Sequence, residues 1–546
     1  MALISLPYGF QQALLNSESY PRNTIVKTIN TYPKSLRQAE NRLSERECDL
    51  FEDNRTKWEI PIRDLDTASG KVLEKYNIHS HDKLLEWLGI DTQASTHDST
   101  AKTISGTKRD PKCRFICICA SNSRSKLKLT KAMLTDILTF HQVMPAFLDF
   151  LYVFGEQIDA TDLQFSSFHE QVVLAEPLDG MPLAGLGRSG KHYQICYNLK
   201  SVALTSVNKE DFTLNVWSIR QAVFHHQFDV VNGNTLWIVV KGNLEIQQRF
   251  KALTDKDARA QDKSFSTPEE CFRSSLSAQL TYCYWASEDW RWHIKWLEEA
   301  MDKEHIMALL GPSTLEYAHK IYTPEDIQNL QIWEERTRQA IVALEGNVDV
   351  MLALVEFYRR LAQDRNFPLR KTCSSDISIL ATQVSSITTR LKMQIKRAEF
   401  LVRTISDRRQ LVIQHLQSQS ASRAERLSRN MEQEQVFMLI ITVMTLIYLP
   451  ATFVSTFFST DVVKYQGSDS PGGTFSEAAM VRWLQVTIPL TVLTCGVAWW
   501  ARRWMLAKRR DNGFRRRWIP WRLKIVSFDS PATVLPLHKK SFIEEN

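Results

Sequence analysis

The sequence predicts an α+β/α membrane protein. It reads as a mixed α/β cytosolic domain, a helical hairpin, and a very long stalk helix continuous with the first of two C-terminal transmembrane helices. Three observations predict this. Residues 435–460 are 26 residues without a charge, and 483–501 supply 19 more. No glycine or proline occurs from Leu369 to Leu449. Between 113 and 243, short strand-like runs with turn signals are interspersed with helical patterns.

A chain of 546 residues is long enough for about two or three folding units. Its 68 Lys and Arg against 61 Asp and Glu give a formal charge of +7. The excess is crowded near the C-terminus: from Arg502 to Lys524 there are ten basic residues and one acid, Asp511. Such a run fits a nucleic-acid arm or the cytoplasmic flank of a membrane segment. The apolar stretch just before it decides for the membrane, so no nucleic-acid partner is expected. The nine cysteines are scattered and form no disulfide framework, which fits a reducing compartment. The start, MALISLPYGFQQALLNSESYPRN, has neither a basic n-region nor a long apolar core, so no signal peptide is expected. It also carries Glu18 and is not Arg-rich, against a transit peptide.

Residues 1–110 read as a mostly helical region ending in a Ser/Thr-rich linker over 91–111. The α/β cytosolic domain is expected over 111–310. CRFICICA (113–120) is a short apolar run and KHYQICYNL (191–199) alternates. Asn232-Gly233 lies between two strand-like runs within 215–243, a hairpin signal. Helices are expected over 128–153, 268–287 and 289–306. The helical hairpin and stalk occupy 311–434. Thr323 is a candidate N-cap, Pro324 suits the first turn and Asp326 completes a box-like pattern, opening a helix to about Ala362. Asn366-Phe367-Pro368 turns the chain. Ile377, Leu380, Val384, Ile387, Leu391, Ile395, Ala398, Val402 and Ile405 then recur at three- and four-residue spacing as a coiled-coil-like seam. One helix from about Ser375 to Phe458, roughly 125 Å at ~1.5 Å per residue, is expected, with a break near Ser418 as the alternative.

Transmembrane helix 1 spans 435–460 and transmembrane helix 2 spans 483–501, since about 20 apolar residues cross a bilayer. Trp499, Trp500 and Trp504 fit an interfacial belt, followed by Arg502 and Arg503. The loop 461–482 carries Lys464 and, at its end, Arg482, whereas the flanks on the other side are rich in arginine. The positive-inside bias places that loop outside and both termini, with the basic tail 502–546, in the cytosol.

Several local motifs have ordinary readings. Gly185-Leu-Gly-Arg-Ser-Gly190-Lys191 matches seven positions of a phosphate-cradling loop, but His192 stands where Ser or Thr is needed and a strand pattern follows, so a hairpin turn is expected. Cys113, Cys117 and Cys119, two of them on one strand face, lack a matching second pair for zinc. His225 and His226 point to opposite faces of a strand. Trp285, Trp290, Trp292 and Trp296 read as core or subunit-contact residues. No Ser/His/Asp set, no paired carboxylates and no cofactor motif can be located.

Thr445, Thr452 and Thr456 lie seven and four apart and share one face of the first span, with Leu449 and Asp461 close to it. Their hydroxyls either bond the preceding turn or a neighbouring helix, or line a pore.

At Leu449-Pro450-Ala-Thr452-Phe453-Val-Ser-Thr456-Phe-Phe458 the sequence resembles the first span of CorA-type magnesium transporters, specifically the divergent CorA-like proteins of filamentous fungi. The order of elements fits, and TFHQVMPAFLDF (139–150), GRSGKHYQICYNLKSV (187–202), FHHQFDV (224–230) and LWIVVKGN (236–243) are similar to that group; the resemblance covers about 110–510. It implies a homopentameric ion channel or transporter for a divalent cation, Mg²⁺ first, embedded in a lipid bilayer and partnered by itself and by metal ions. In the family a Gly-Met-Asn triplet closes the first span as the selectivity ring. Gapless alignment from Pro450 puts Ser459, Thr460 and Asp461 there, all three different, with Asp461 in place of the ring asparagine and Thr452 and Thr456 at pore-facing positions. A ring of carboxylates would attract cations strongly, repel itself and hold some protons. Magnesium dehydrates reluctantly, so such a ring could favour another divalent ion. Three readings follow: a transporter or channel, a non-conducting membrane sensor or scaffold, and, with no catalytic set to support it, a membrane-anchored enzyme.

Overall fold

The computed structural model describes residues 4–25, 31–66, 71–94, 102–121, 125–156, 162, 164–205, 216–241, 245–255, 257–310, 322–459 and 477–517. The chain divides into two units, Met1–Gln417 and Ser418–Asn546.

Among the described residues the first unit is built on nine strands: β1 (Ile60–Asp66), β2 (Lys71–Ile78), β3 (Ile90–Ala94), β4 (Lys102–Gly106), β5 (Cys113–Cys119), β6 (Phe168–Val173), β7 (His192–Leu204), β8 (Trp217–Asp229) and β9 (Thr235–Lys241). Seven form one sheet in the order β2-β1-β5-β9-β8-β7-β6, and β3 and β4 pair separately. Only β5 and β9 run parallel; the other neighbours are antiparallel. The helices are α1 (Tyr8–Leu15), α2 (Pro33–Glu45), α3 (Glu47–Leu50), α4 (His81–Leu88), α5 (Lys131–His141), α6 (Phe147–Leu151), α7 (Glu245–Thr254), α8 (Ala260–Lys263), α9 (Pro268–Ser287), α10 (Trp290–Leu310), α11 (Pro324–Gln363) and α12 (Ser374–Phe458). The remaining helix, α13 (Glu477–Arg517), belongs to the second unit.

The period of two sorts each strand's side chains between two cores. Phe115, Tyr193, Tyr197, Phe224 and Trp237 face one core, shared with α9, α11 and the start of α12. Ile116, Ile118, Val223 and Ile238 face the other, shared with α1, α5 and α6. Covered on both faces, β5 is buried at every position, so CRFICIC reads as an apolar run rather than an alternation.

Where sequence and structure part, the causes are local. The reading of 1–110 as a mostly helical region is corrected: β2 is an edge strand of the main sheet and β1 lies between it and β5, so a boundary at 110 cuts through the sheet. The expected linker contains β3 and β4. The helix expected over 128–153 breaks into α5 and α6, because Gln142 adopts a left-handed conformation, φ +50°, and Pro145 follows. At Asn232-Gly233 the connection from β8 to β9 is five residues, 230–234, rather than a tight two-residue turn. Gly233 has φ +75°, and a Cβ there would come within 2.8 Å of Pro268.

The capping pattern at the hairpin is realised, with the Asp326 carboxylate accepting from the Thr323 N–H at 2.8 Å. Gly346 lets α11 approach β7 and the segment before β6, since a Cβ would collide with the Ser166 side chain and come within 3.6 Å of Lys200 Nζ. The seam of α12 is buried from Ile377 to Ile405, with Leu401 in the place expected for Val402. Arg397–Glu298 and Arg409–Glu334 pairs brace it against α10 and α11. The helix continues through 417–425 without the alternative break at Ser418. Thr388, Thr404 and Thr382 donate their hydroxyls to their own helix backbone, as an uninterrupted helix allows.

Candidate functional site

In the second unit, the part of α12 from 421 to 445 is exposed at every position, and Leu446 is the first half-buried one. Polar and charged to Glu434, it turns apolar on all sides from Val436 onward. An apolar helix exposed all round requires an apolar surrounding. Among the described residues, the helix holding this stretch and Met480–Trp504 are the two long and apolar enough to cross a membrane. Trp499, Trp500 and Trp504 are exposed at the end of the second, and Arg503 lies 5.1 Å over the Trp499 ring. That is how an aromatic belt meets a basic flank.

The two spans touch through one face of α12. Val454 is buried, Pro450 beside it is buried, and Ser455 accepts from the Trp483 indole N–H at 3.0 Å. On α13 the corresponding buried residue is Thr487. The Trp483–Ser455 bond was not legible in the sequence, where Trp483 marks only the edge of a span. Pro450 has no N–H to give the Leu446 carbonyl, yet the helix carries on to Phe458.

Thr452 and Thr456 lie two residues either side of Val454, and Thr445 nine before it. At about 100° per residue, all three fall roughly 160–200° round the helix from Val454. The threonine face is therefore the one opposite Val454, and its Thr452 and Thr456 edge borders a groove shared with the second span. Thr452 and Thr456 are exposed, and each also rims an open groove with Leu449, Phe453, Leu490 and Thr494. Every one of these hydroxyls donates to its own helix: Thr445 to the Ile441 carbonyl at 2.6 Å, Thr452 to Leu449 at 3.0 Å and Thr456 to Thr452 at 2.9 Å. Bonding to the preceding turn and facing a pathway are thus compatible, since a hydroxyl that has donated keeps lone pairs for a cation or its water.

Ser459 follows the helix and donates to the Thr456 carbonyl at 2.9 Å. Thr460 and Asp461 lie outside the described residues. Among the described residues no three His, Cys, Asp or Glu side chains gather to hold a metal.

The motifs of the first unit resolve as packing. His225 meets Phe147 on one face of β8, and His226 stacks on Trp237 at 4.2 Å on the other. Cys113, Cys117 and Cys119 all share one face, not two of them, with the last two sulfurs 3.3 Å apart. Trp285, Trp290 and Trp296 are buried while Trp292 is 52% exposed. The Gly185–Lys191 turn leads into β7 and not into a helix.

Fold and site together define a two-span membrane protein with a large α/β unit and an exposed threonine face on its first span. The family of CorA-like transporters matches residues 12–309, more than half of the 546, and the chain belongs to that family. No curated protein matches it. Among solved structures, it is similar to the CorA magnesium transporter from Methanocaldococcus jannaschii at 10% identity, covering 80% of this chain and 96% of that one, with a TM-score of 0.31. It is similar to the full-length CmaX protein at 14% identity, covering 57% and 73%, with a TM-score of 0.22. Both scores are low, and membership rests on the sequence match.

Proposed function

We propose that this chain is a homopentameric divalent-cation transporter or channel, with Mg²⁺ as leading substrate, whose first span lines the pathway. The observation that carries it is the placement of Thr445, Thr452 and Thr456 on the face of α12 opposite the buried Val454. With Val454 packed on the second span, the threonine face, open along the groove that Thr452 and Thr456 share with Leu490 and Thr494, is left for other copies of the same helix to approach. In this reading Ser459, Thr460 and Asp461 supply the filter position, and Asp461 is the strongest local field for a cation. Both termini lie in the cytosol, since Arg502 and Arg503 flank the end of the second span.

The test is flux of Mg²⁺, Ni²⁺, Co²⁺ and Zn²⁺ into vesicles reconstituted with the full chain, comparing wild type with Asp461→Asn. Wild-type flux that changes in rate or ion order in Asp461→Asn supports the reading. No wild-type flux for any of the four ions overturns it.

The replacement of Gly-Met-Asn by Ser459-Thr460-Asp461 favours a second reading, a non-conducting family member that senses or scaffolds. It expects Asp461 and Thr456 to tolerate change without phenotype, while substitutions in the α/β unit do not.

A further inference from the structure

One small, partly open cavity of the first unit, with several polar side chains in its lining, has no part in the reading above. It lies at the end of the sheet where β5 and β9 begin and β8 ends, bordered by Arg188 and Gly190 of the Gly185–Lys191 turn, with a volume of about 50 Å³. That is room for a few waters at ~10–15 Å³ each, or one small ion.

Four side chains lining it each leave one polar atom without a hydrogen-bond partner from the chain: Arg114 Nη1, which has only a long 3.9 Å ion pair with Asp110, Arg188 Nη2, His141 Nε2 and Gln227 Oε1. Arg114 is 3% exposed and His141 5%. Both guanidinium groups are held rigidly by their other nitrogens. Arg114 gives Nε and Nη2 to Asp64 at 3.0 and 2.9 Å. Arg188 gives Nε to Asp110 at 2.6 Å and Nη1 to the Phe140 carbonyl at 2.6 Å. Asp229 also lines the cavity, but its carboxylate is taken by the Ser189 N–H and O–H and by the N–H groups of Val231 and Asn232. Burial, with Arg188 and Arg114 beside it, holds His141 well below the usual imidazole range, so it enters neutral. In its Nε2–H tautomer it is a third donor.

Three fixed donors suit an oxyanion, and leaving such donors unmatched costs about 1–3 kcal/mol each. The Gln227 carbonyl oxygen, which accepts no hydrogen bond from the chain, asks for one thing more: a proton on the guest. Hydrogen phosphate carries both features, whereas sulfate at neutral pH has no proton to give. The volume rules out a nucleotide. The turn's own N–H groups do not cradle the guest, because Gly187 and Arg188 spend theirs on Ala184 and Leu183 carbonyls and Ser189 on Asp229. The phosphate-loop motif is therefore a false match whose arginine nevertheless faces an anion-sized cavity. We propose that this cavity, lined by Arg114, His141, Arg188 and Gln227, is a binding site for one protonated oxyanion of phosphate size.

The test is calorimetric titration of the detergent-solubilised full chain with inorganic phosphate, alongside thermal unfolding in phosphate and in sulfate. One saturable site per chain, and a Tm raised more by phosphate than by sulfate, are expected. Arg188→Lys keeps the charge and the Asp110 pair but loses the spare fork nitrogen, and should weaken phosphate by about tenfold or more. Gln227→Met should erase the preference for phosphate over sulfate while leaving the chain folded. Arg249→Gln, on a half-exposed ion pair with Glu288 away from the cavity, should leave binding unchanged. The proposal is overturned if phosphate gives no saturable heat at tens of millimolar. It is equally overturned if both anions shift Tm alike in wild type and Arg188→Lys, or if density from phosphate-soaked protein shows waters only.

Discussion

Strand β5 and the first span are both apolar runs, yet every residue of β5 is buried while 436–445 is exposed throughout. Hydrophobicity is thus the same signal in both units, and what differs is who supplies the covering. In the first unit the chain covers itself, with one core on each side of the sheet. In the second unit the covering has to come from lipid or from other copies. The polar groups follow the same division. Thr442, Thr445, Thr452 and Thr456 satisfy their hydroxyls within one helix, as hydrocarbon demands. The first unit instead buries histidines and arginines and leaves some of their atoms unpaired.

Those histidines give the largest effect that separates the two units. Burial, the first cause in each case, pushes His192 and His293 down to about 4 and His225 to about 3. It also holds His141 and His226 well below the ordinary range. Unfolded, each takes a proton near pH ~6.5. Below that pH the unfolded state binds more protons than the folded one. Stability is therefore full above about pH 6.5 and is lost as pH falls toward about 4, by up to ~1.4 kcal/mol per histidine per pH unit. Thermal unfolding followed at about pH 7.5, 6 and 5 should show a steep fall in the first unit's midpoint. His226→Phe, able to keep the stack on Trp237, should flatten that slope by one proton. A midpoint that does not move over this range would sink the account.

Next in size is Leu354, fully buried in α11. Leu354→Ala should cost about 2–5 kcal/mol, read as a lower denaturation midpoint with an unchanged denaturant slope. A cost under about 0.5 kcal/mol would mean that the helix packs on the sheet far more loosely than its burial shows.

The same division explains what the sequence disclosed. The spans, the stalk and the hairpin cap were legible because their signals are local: charge-free length, the absence of glycine and proline from Leu369 to Leu449, and Thr323-Pro324 before Asp326. The strands β5, β7, β8 and β9 were legible as apolar or alternating runs. The strands β1 and β2 were not, because IPIRDLD mixes Arg63 and Asp64 into an apolar frame. Only the pairing of Arg114 with Asp64 across β1 and β5 shows why Asp64 is inside. The family match begins at residue 12, within a region whose role the sequence alone did not reveal. Of the candidate site, the threonine spacing was legible and its orientation was not, since only the burial of Val454 tells which face meets the second span. The anion-sized cavity draws Arg114, His141, Arg188 and Gln227 from four separate segments, and no spacing rule joins them.

The comparison is sharpest in two isoleucines of one helix. Ile379 and Ile441 both belong to α12 and are each 59% exposed, but one lies in the first unit and the other in the second. If exposure alone decided, lysine would cost the same at both. If the surroundings decide, Ile441→Lys should disfavour membrane insertion by about 2.5–3.5 kcal/mol. Ile379→Lys should change stability by no more than about 0.5 kcal/mol. Glycosylation-site insertion assays for the first, and denaturation of the full chain in detergent for the second, measure the two on a common energy scale. Equal costs would remove the distinction drawn between the units. A small cost at Ile379 accompanied by a smaller assembled mass would show that this position, too, is covered, by another copy of the same helix.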